Sequence, residues 1–247
     1  MTEIPQTLVE MIHHPDKNIR GPAVIALGNL GPTSLDALLG IVGKDPDFNV
    51  REDITWALVR LADSAFQPLV DLLTDTDAGV RHHAAHTLSK IGDLRAVPSL
   101  IAALEDPEPA VVSKIAFTLG VFRDARAIPP LVRLLDHSDR EVQTTVVAAL
   151  ERFGAHAVPQ VLVALADPSA QVRELAADIL GVIGTRANVT RLASALCDDS
   201  WHVRFAVVSA LGHIGGAEAK QALEPLHDDP DKRIRGLVVR LMKRIKV

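Results

Sequence analysis

The sequence predicts an all-α solenoid built from eight two-helix repeats of about 31 residues, and three observations support this fold class. An aliphatic residue, here called the anchor, recurs at intervals of 30 or 31 residues along the whole 247-residue chain. Apolar residues surround each anchor at helical spacing, and strand-like alternation is absent. Such a period is typical of stacked repeats, in which each unit buries its apolar face against its neighbours. The anchors are Ile19, Val50, Val80, Val111, Val142, Val172, Val203 and Ile234.

The repeats fill the chain without a linker, so we expect a single solenoid domain over residues 1–247. The predicted repeats span approximately 1–31, 32–61, 62–92, 93–123, 124–154, 155–184, 185–215 and 216–247. From residue 231 onward the chain has seven basic residues and one acidic residue, a net charge of +6, whereas residues 1–230 carry -11. We interpret the last unit as a basic capping repeat that keeps the end of the solenoid soluble.

Each repeat is predicted to contain two helices that share one interior. In the second helix, apolar residues stand at the anchor and at four, eight and eleven positions after it, which is helical periodicity. In the first helix, eleven positions before the anchor, there is leucine in seven repeats and valine in one. Both rows therefore face a common core.

The ends of the helices are marked independently of these apolar rows. Aspartate or serine precedes most second helices, where it can cap free backbone N-H groups, and Glu108 is the one weak substitute. Proline is expected in the first turn of the first helix, and glycine follows the second helix. The predicted caps are Asp16, Asp47, Asp77, Asp139, Ser169, Ser200 and Asp231, the prolines are Pro68, Pro98, Pro129 and Pro159, and the glycines are Gly31, Gly92, Gly154, Gly184 and Gly215.

Two segments carry a family resemblance, namely IGDLRAVPSLIAALEDP at 91–107 and DAGVRHHAAHTL at 77–88. They resemble the short HEAT-like repeat named after phycobilisome (bilin) lyases. The resemblance covers essentially the whole chain and implies an α-solenoid whose second helices line the concave face. It also implies one candidate activity, that of a subunit that helps attach or detach a bilin chromophore, although such repeats occur equally in pure scaffolds.

Composition narrows the possible environments and partners. The chain is 48% hydrophobic with a formal charge of -5 and a single cysteine, which excludes an internal disulfide framework. It begins without an apolar signal core, and no apolar stretch approaches the ~18 residues that span a bilayer. We therefore expect a cytoplasmic protein with no membrane partner. The acidic body argues against nucleic acid as a partner along the concave face.

An arginine follows the anchor in six repeats but is replaced by Val112 and Gln143 in the two central ones. One interpretation is a basic ladder that binds an acidic partner. The interpretation that we favour is structural, because arginine next to a helix N-terminal aspartate forms ion pairs and hydrogen bonds between repeats.

The second helices should present the residues two and six positions after the anchor on the concave surface. In three consecutive repeats the sixth position holds Trp56, His86 and Phe117, and large aromatics on such a surface are common anchors for a partner. The alternative is that they fill space between helices. The leading hypothesis is a protein interaction scaffold without catalytic residues or cofactor. Its predicted partner-binding residues are Trp56, His86, Phe117, Phe205, Glu52, Glu174 and Asp178.

A third hypothesis is a metal site at Glu52, His82 and His86. The two histidines are spaced i,i+4 and share a helix face, and two imidazoles with a carboxylate can form an open metal site. The sequence after Val80 is similar to the repeat of deoxyhypusine hydroxylase, which implies iron-binding His-Glu pairs at this offset. Here His82 is followed by His83, so the chain departs from that pattern.

Overall fold

The computed structural model describes residues 4–245, which form sixteen α-helices and no β-strand. In chain order these are α1 Gln6–Met11, α2 Lys17–Asn29, α3 Leu35–Leu39, α4 Phe48–Arg60, α5 Ala62–Asp71, α6 Ala78–Ile91, α7 Val97–Ala102, α8 Pro109–Phe122, α9 Ile128–Arg133, α10 Arg140–Phe153, α11 Val158–Ala164, α12 Ala170–Ile183, α13 Val189–Ala193, α14 Trp201–Ile214, α15 Ala217–Leu223 and α16 Lys232–Arg244. Odd-numbered helices are the first helices of the repeats and even-numbered ones are the second. The predicted all-α solenoid is confirmed.

The two helices of a repeat differ in length. Second helices have 13 or 14 residues, whereas first helices are short and in most repeats continue into a turn of 3₁₀-helix such as Leu72–Thr74 or Ala103–Glu105. The leucines eight positions after the anchor are almost completely buried in seven repeats. The leucine row of the first helices is equally buried from Leu69 onward, whereas in α3 it is Leu38 rather than the expected Leu39 that is fully buried.

The chain divides into two compact units, called unit 1 and unit 2, with the boundary between Asp124 and Ala125. Unit 1 contains α1 to α8 and unit 2 contains α9 to α16. The expectation of one continuous domain stays a prediction.

Five of the predicted aspartate caps are confirmed. In each case a carboxylate oxygen accepts a hydrogen bond from the backbone N-H two residues later, as Asp77 Oδ1 accepts from the Gly79 N-H at 2.7 Å. Ser169, Ser200 and Glu108 stand at the cap position without such a bond from the side chain. The hydrogen-bonding caps are Asp16, Asp47, Asp77, Asp139 and Asp231.

The predicted proline and glycine positions are confirmed except for Pro68. Pro68 lies inside α5 instead of in its first turn, because α5 begins at Ala62, directly after the end of α4. Gly184 directly follows α12 as predicted, but its φ is -73°, so it does not use the left-handed backbone that Gly92 adopts at φ 76°. In the fourth repeat this left-handed position is occupied by Arg123, with φ 53°.

The arginine row forms repeat-to-repeat ion pairs, as the structural interpretation predicted, but with a different aspartate. Arg81 Nε and Nη2 donate to Asp106 at 2.6 and 2.9 Å, and Nη1 donates to the carbonyl of Asp75 at 2.8 Å. The partner is the aspartate that opens the next repeat's loop, not the cap two residues later. This pattern recurs in both units: Arg20 with Asp45, Arg81 with Asp106, Arg173 with Asp198 and Arg204 with Asp229.

Arg51 departs from this pattern although it keeps the arginine. Its Nη1 donates to the carbonyl of Asp45 at 2.6 Å, but within residues 4–245 its guanidinium has no carboxylate partner. In unit 2, the Gln143 side chain donates to the carbonyl of His137 at 2.7 Å and so replaces only the backbone contact of the missing arginine. The ion pairs hold neighbouring repeats together. The Arg51 guanidinium, by contrast, makes a backbone hydrogen bond and no ion pair within residues 4–245.

None of the helices in residues 4–245 has both the length and the apolar character needed to cross a lipid bilayer.

Candidate functional site

Three second helices of unit 1 carry the predicted aromatic row on their outer surface. Helix α6 packs against α4 on one side and α8 on the other. Trp56 on α4 is 53% exposed and Phe117 on α8 is 41% exposed, so neither ring is used as core. His86 on α6 is half-buried at the same register between them. We call Trp56, His86 and Phe117 the aromatic row.

Polar contacts cross the row from helix to helix. His86 Nε2 lies 3.0 Å from Glu52 Oε1 on α4, although the angle does not make a regular hydrogen bond. Lys114 Nζ on α8 lies 3.5 Å from His86 Nδ1. Burial and the charge of Lys114 lower the pKa of His86, while Glu52 opposes this shift. A neutral His86 can accept from Lys114, so the three side chains form a line across α4, α6 and α8.

Each exposed ring of the row has a lysine beside it. Lys90 Nζ lies 5.9 Å from the centre of the Trp56 ring, and Lys114 Nζ lies 5.6 Å from the centre of the Phe117 ring. These separations are within the range of cation-π attraction. Each ring therefore has a basic neighbour while its side chain stays exposed to solvent.

The other two histidines of the cluster have different roles. His83 is 5% exposed, and its Nε2 lies 2.8 Å from Thr55 Oγ1 and 3.0 Å from the carbonyl of Arg51. It therefore joins α6 to α4 inside the core. His82 is half-buried at the surface, where burial and then the charges of Lys114, His86 and Arg51 lower its pKa to about 4.

The metal set predicted at Glu52, His82 and His86 is not assembled. Within residues 4–245 no three histidine, cysteine or acidic side chains come together as a group that could hold a metal ion. Glu52 reaches His86, but the nitrogen on the opposite side of that ring faces the ammonium of Lys114 at 3.5 Å. A cation at that place repels a second cation, which is the physical reason for the correction.

Unit 2 presents a different surface at the same register. The matching positions hold Ala148, Asp178 and Ser209, and Glu174 lies one turn before Asp178 on α12. Asp178 reaches the surface, yet loss of hydration and then repulsion from Glu174 and Glu151 raise its pKa to about 6. The two predicted acidic residues, Glu174 and Asp178, are therefore close enough to repel each other.

Phe205, the remaining predicted anchor, is half-buried. Its ring packs edge-on against Trp201 at 6.4 Å, and Arg233 stacks on Trp201 with its Cζ 3.2 Å from the ring centre. Phe205 thus belongs to an aromatic cluster and presents less free surface than Trp56 or Phe117.

Sequence reasoning missed two functional candidates, Lys90 and Lys114. Lys114 comes three positions after its anchor, a position that is Asp53 on α4 and the buried His83 on α6, so no row along the repeats marks it. Only packing shows that its side chain meets both His86 and Phe117.

Comparison with known proteins agrees with the architecture. The family model of HEAT repeats matches residues 2–59, 44–116, 97–170 and 159–243. No curated protein matches the sequence. Together the four matches cover nearly the whole chain, and they confirm the HEAT-like resemblance seen in its segments.

Several solved structures have a similar fold. The structure of Kap95p with RanGDP contains a chain of 17% identity with a TM-score of 0.60 over 97% of this chain and 40% of that one. YibA from E. coli is 20% identical with a TM-score of 0.52, covering 98% of this chain and 93% of its own. The CpcE and CpcF complex of phycocyanin lyase from Nostoc sp. is 22% identical, covers 100% and 96%, and has a TM-score of 0.43.

At these identities the two structures with TM-scores of 0.60 and 0.52 support the fold and leave the activity open. The family matches extend over both units and coincide with the helix pairs of the structure. By its sequence and its architecture, this chain belongs to the family of HEAT-repeat proteins.

Proposed function

We propose that this protein is an interaction scaffold that binds an extended segment of a protein partner across the second helices of unit 1. The observation that carries the proposal is the aromatic row, in which two large rings stay exposed on α4 and α8, the helices on either side of α6. The whole chain has only two tryptophans and six phenylalanines, so exposing two of these rings in one row costs apolar burial. Rings of this kind are typical hot spots of protein interfaces.

The backbone beneath the row is well fixed, which favours binding with little loss of entropy. Helices α4 and α6 are capped by Asp47 and Asp77. His83 joins α6 to Thr55 on α4, and Thr118 Oγ1 on α8 donates to the carbonyl of Ala85 at 3.4 Å. The rings therefore extend from three helices that are joined below the surface.

The experiment that tests the proposal is selection of binders from a random peptide library displayed on phage, followed by measurement of Kd by fluorescence anisotropy. Changing both Trp56→Ala and Phe117→Ala should weaken binding of the selected peptides at least about 100-fold, because hot-spot residues each contribute about 2 kcal/mol. The melting temperature should stay nearly constant, since both side chains are exposed.

The control variant is Phe48→Ala, which removes another exposed ring of unit 1, 63% exposed at the start of α4 and outside the row. It should leave the Kd within about twofold of the original value, as for a residue outside a hot spot. Peptides that bind the double variant as tightly as the original protein would contradict the proposal, as would a selection that yields no peptide at all.

A further inference from the structure

Lys114 is a cation that the scaffold leaves without an ion pair. The side chain is half-buried, and burial and then repulsion by Lys90 lower its pKa. Among residues 4–245 its ammonium contacts the His86 ring at 3.5 Å and the face of Phe117, and it has no carboxylate partner. A desolvated charge without a partner costs free energy that a carboxylate from another molecule can recover.

The surroundings of Lys114 favour a negative group. Burial, and then the charges of Lys114 and Arg51, lower the pKa of His82 and hold its imidazole neutral. Ser113 Oγ on α8, at the register of His82 on α6, is buried and has no hydrogen-bond partner within residues 4–245.

Glu52 attracts the Lys114 ammonium and partly offsets the lowering of its pKa, but no acidic side chain among residues 4–245 forms an ion pair with Lys114. Glu52 is engaged with His86 Nε2 on the side of the ring away from Lys114. The pKa of Asp53 is raised by burial and by repulsion from Asp47 and Glu52, so the α4 side already carries repelling carboxylates. Negative charge from a partner is therefore accommodated at α8 and disfavoured at α4.

We propose that the bound segment presents an aspartate or glutamate carboxylate to Lys114, with an adjacent apolar side chain lying on the Phe117 ring. This inference rests on the proposed function, because it names the chemistry of the partner at the same surface. The partner is thus an acidic segment with an apolar anchor next to the acid, and charge complementarity at Lys114 selects it.

Charge reversal at Lys114 tests the proposal in the same peptide selection. Peptides selected on the original protein should be enriched in aspartate or glutamate next to an aromatic or aliphatic residue. Selection on Lys114→Glu should yield peptides in which lysine or arginine takes the place of that acid. Lys232→Met, which removes an exposed lysine of α16, serves as the control and should select the same acidic peptides as the original protein.

Affinities of one selected peptide and of its Asp→Asn counterpart give the size of the effect. Lys114→Met should weaken binding of the acidic peptide about tenfold, as expected for a partly desolvated ion pair, and should leave the Asn peptide within about twofold. Binding of the Asn peptide also shows that the variant is folded.

The inference and the proposed function fail in different ways. Selected peptides that depend on Trp56 and Phe117 but show no enrichment in acidic residues would overturn the inference. So would peptides that bind Lys114→Met and the original protein equally. Either result would leave the proposed binding at the aromatic row intact. Peptides that do not depend on the aromatic row would contradict the proposed function itself.

Discussion

Unit 1 and unit 2 are built from the same repeat, but the outer surfaces of their second helices carry different residues. The second helices of unit 1 show Trp56, His86 and Phe117 with two lysines beside the rings. The same register in unit 2 shows small residues and Asp178, whose pKa is raised by loss of hydration and by neighbouring carboxylates. The core rows and the arginine pairs are alike in both. The repeat therefore determines the interior, while the outer surface of the second helices is free to specialise.

The largest expected effect concerns what the units share. Arg81→Met in unit 1 and Arg204→Met in unit 2 should each lower the free energy of unfolding by about 3 kcal/mol, because each leaves a nearly buried aspartate, Asp106 or Asp229, without its partner. Urea unfolding followed by circular dichroism measures the loss.

The control for both variants is Arg51→Met, which removes a guanidinium that has no carboxylate partner and should cost about 1 kcal/mol for the lost bond to the Asp45 carbonyl. Equal losses for Arg51 and Arg81 would show that the ion pairs do not hold the repeats together.

The second prediction transfers the surface of unit 2 to unit 1. A triple variant with Trp56→Ala, His86→Asp and Phe117→Ser copies the residues at 148, 178 and 209. It should lose at least about 100-fold in affinity for selected peptides, with a melting temperature within a few degrees of the original, since the changed residues are exposed or half-buried. Peptide titration and thermal unfolding on the same sample would separate the two effects. Retained affinity would mean that the different residues on the two units do not determine peptide binding.

Much of what the units share could be predicted from the sequence. The 31-residue period located the helices because buried leucines recur in every layer, and the aspartate caps follow from local hydrogen bonding. Pro68 was misplaced because no glycine separates α4 from α5. The partner of Arg81 was misassigned although a signal was present, since an aspartate opens the loop in six of the eight repeats, as Asp106 does.

The surface was predicted less completely. The exposure of Trp56 and Phe117 followed from their offset on the helix, but the contacts of Lys114 depend on how three helices pack. Likewise, only packing shows that His83 is a buried link to Thr55 while His82 stays at the surface among cations. Side-chain contacts between neighbouring repeats, such as those of Lys114 and His83, do not recur at the repeat interval and therefore cannot be recognised from the sequence period.

A third prediction uses the opposite titration behaviour of the two surfaces. The folded-state pKa of His82 and His83 is lowered to about 4, so their contribution to stability is lost as pH falls from about 6.5 toward 4. Asp178 has a folded-state pKa raised to about 6, so its contribution is present below pH 3.8 and is lost as pH rises through 6.

Thermal unfolding from pH 4.5 to 8 should show Asp178→Asn as more stable than the original protein at pH 8, with the difference shrinking as pH falls toward 4.5. NMR titration of the histidines should place His82 and His83 well below the usual midpoint of 6.5. A normal midpoint for His82 would show that solvent relieves both its burial and the repulsion from nearby cations.

The smallest expected effect lies where the fourth and fifth repeats differ at the end of the second helix. Arg123 of unit 1 adopts φ 53°, while Gly154 of unit 2 adopts φ 56°. Arg123→Gly should raise the free energy of unfolding by up to about 1 kcal/mol, because glycine has no side-chain clash in a left-handed conformation. Gly154→Ala should lower it, because the φ of 56° and ψ of -132° at Gly154 lie in a region that residues with a side chain rarely adopt. Chemical denaturation of the two variants checks both signs, and a loss in Arg123→Gly would point to side-chain contacts that outweigh the backbone cost.

The central claim is that unit 1, and not unit 2, binds the partner segment, and NMR mapping tests it most directly. A selected acidic peptide would be titrated into ¹⁵N-labelled protein while backbone amide shifts are followed. The account predicts that the perturbed amides cluster on α4, α6 and α8, with the largest changes near Trp56, His86 and Lys114. Perturbations that cluster instead on α12 and α14, around Asp178, would contradict it.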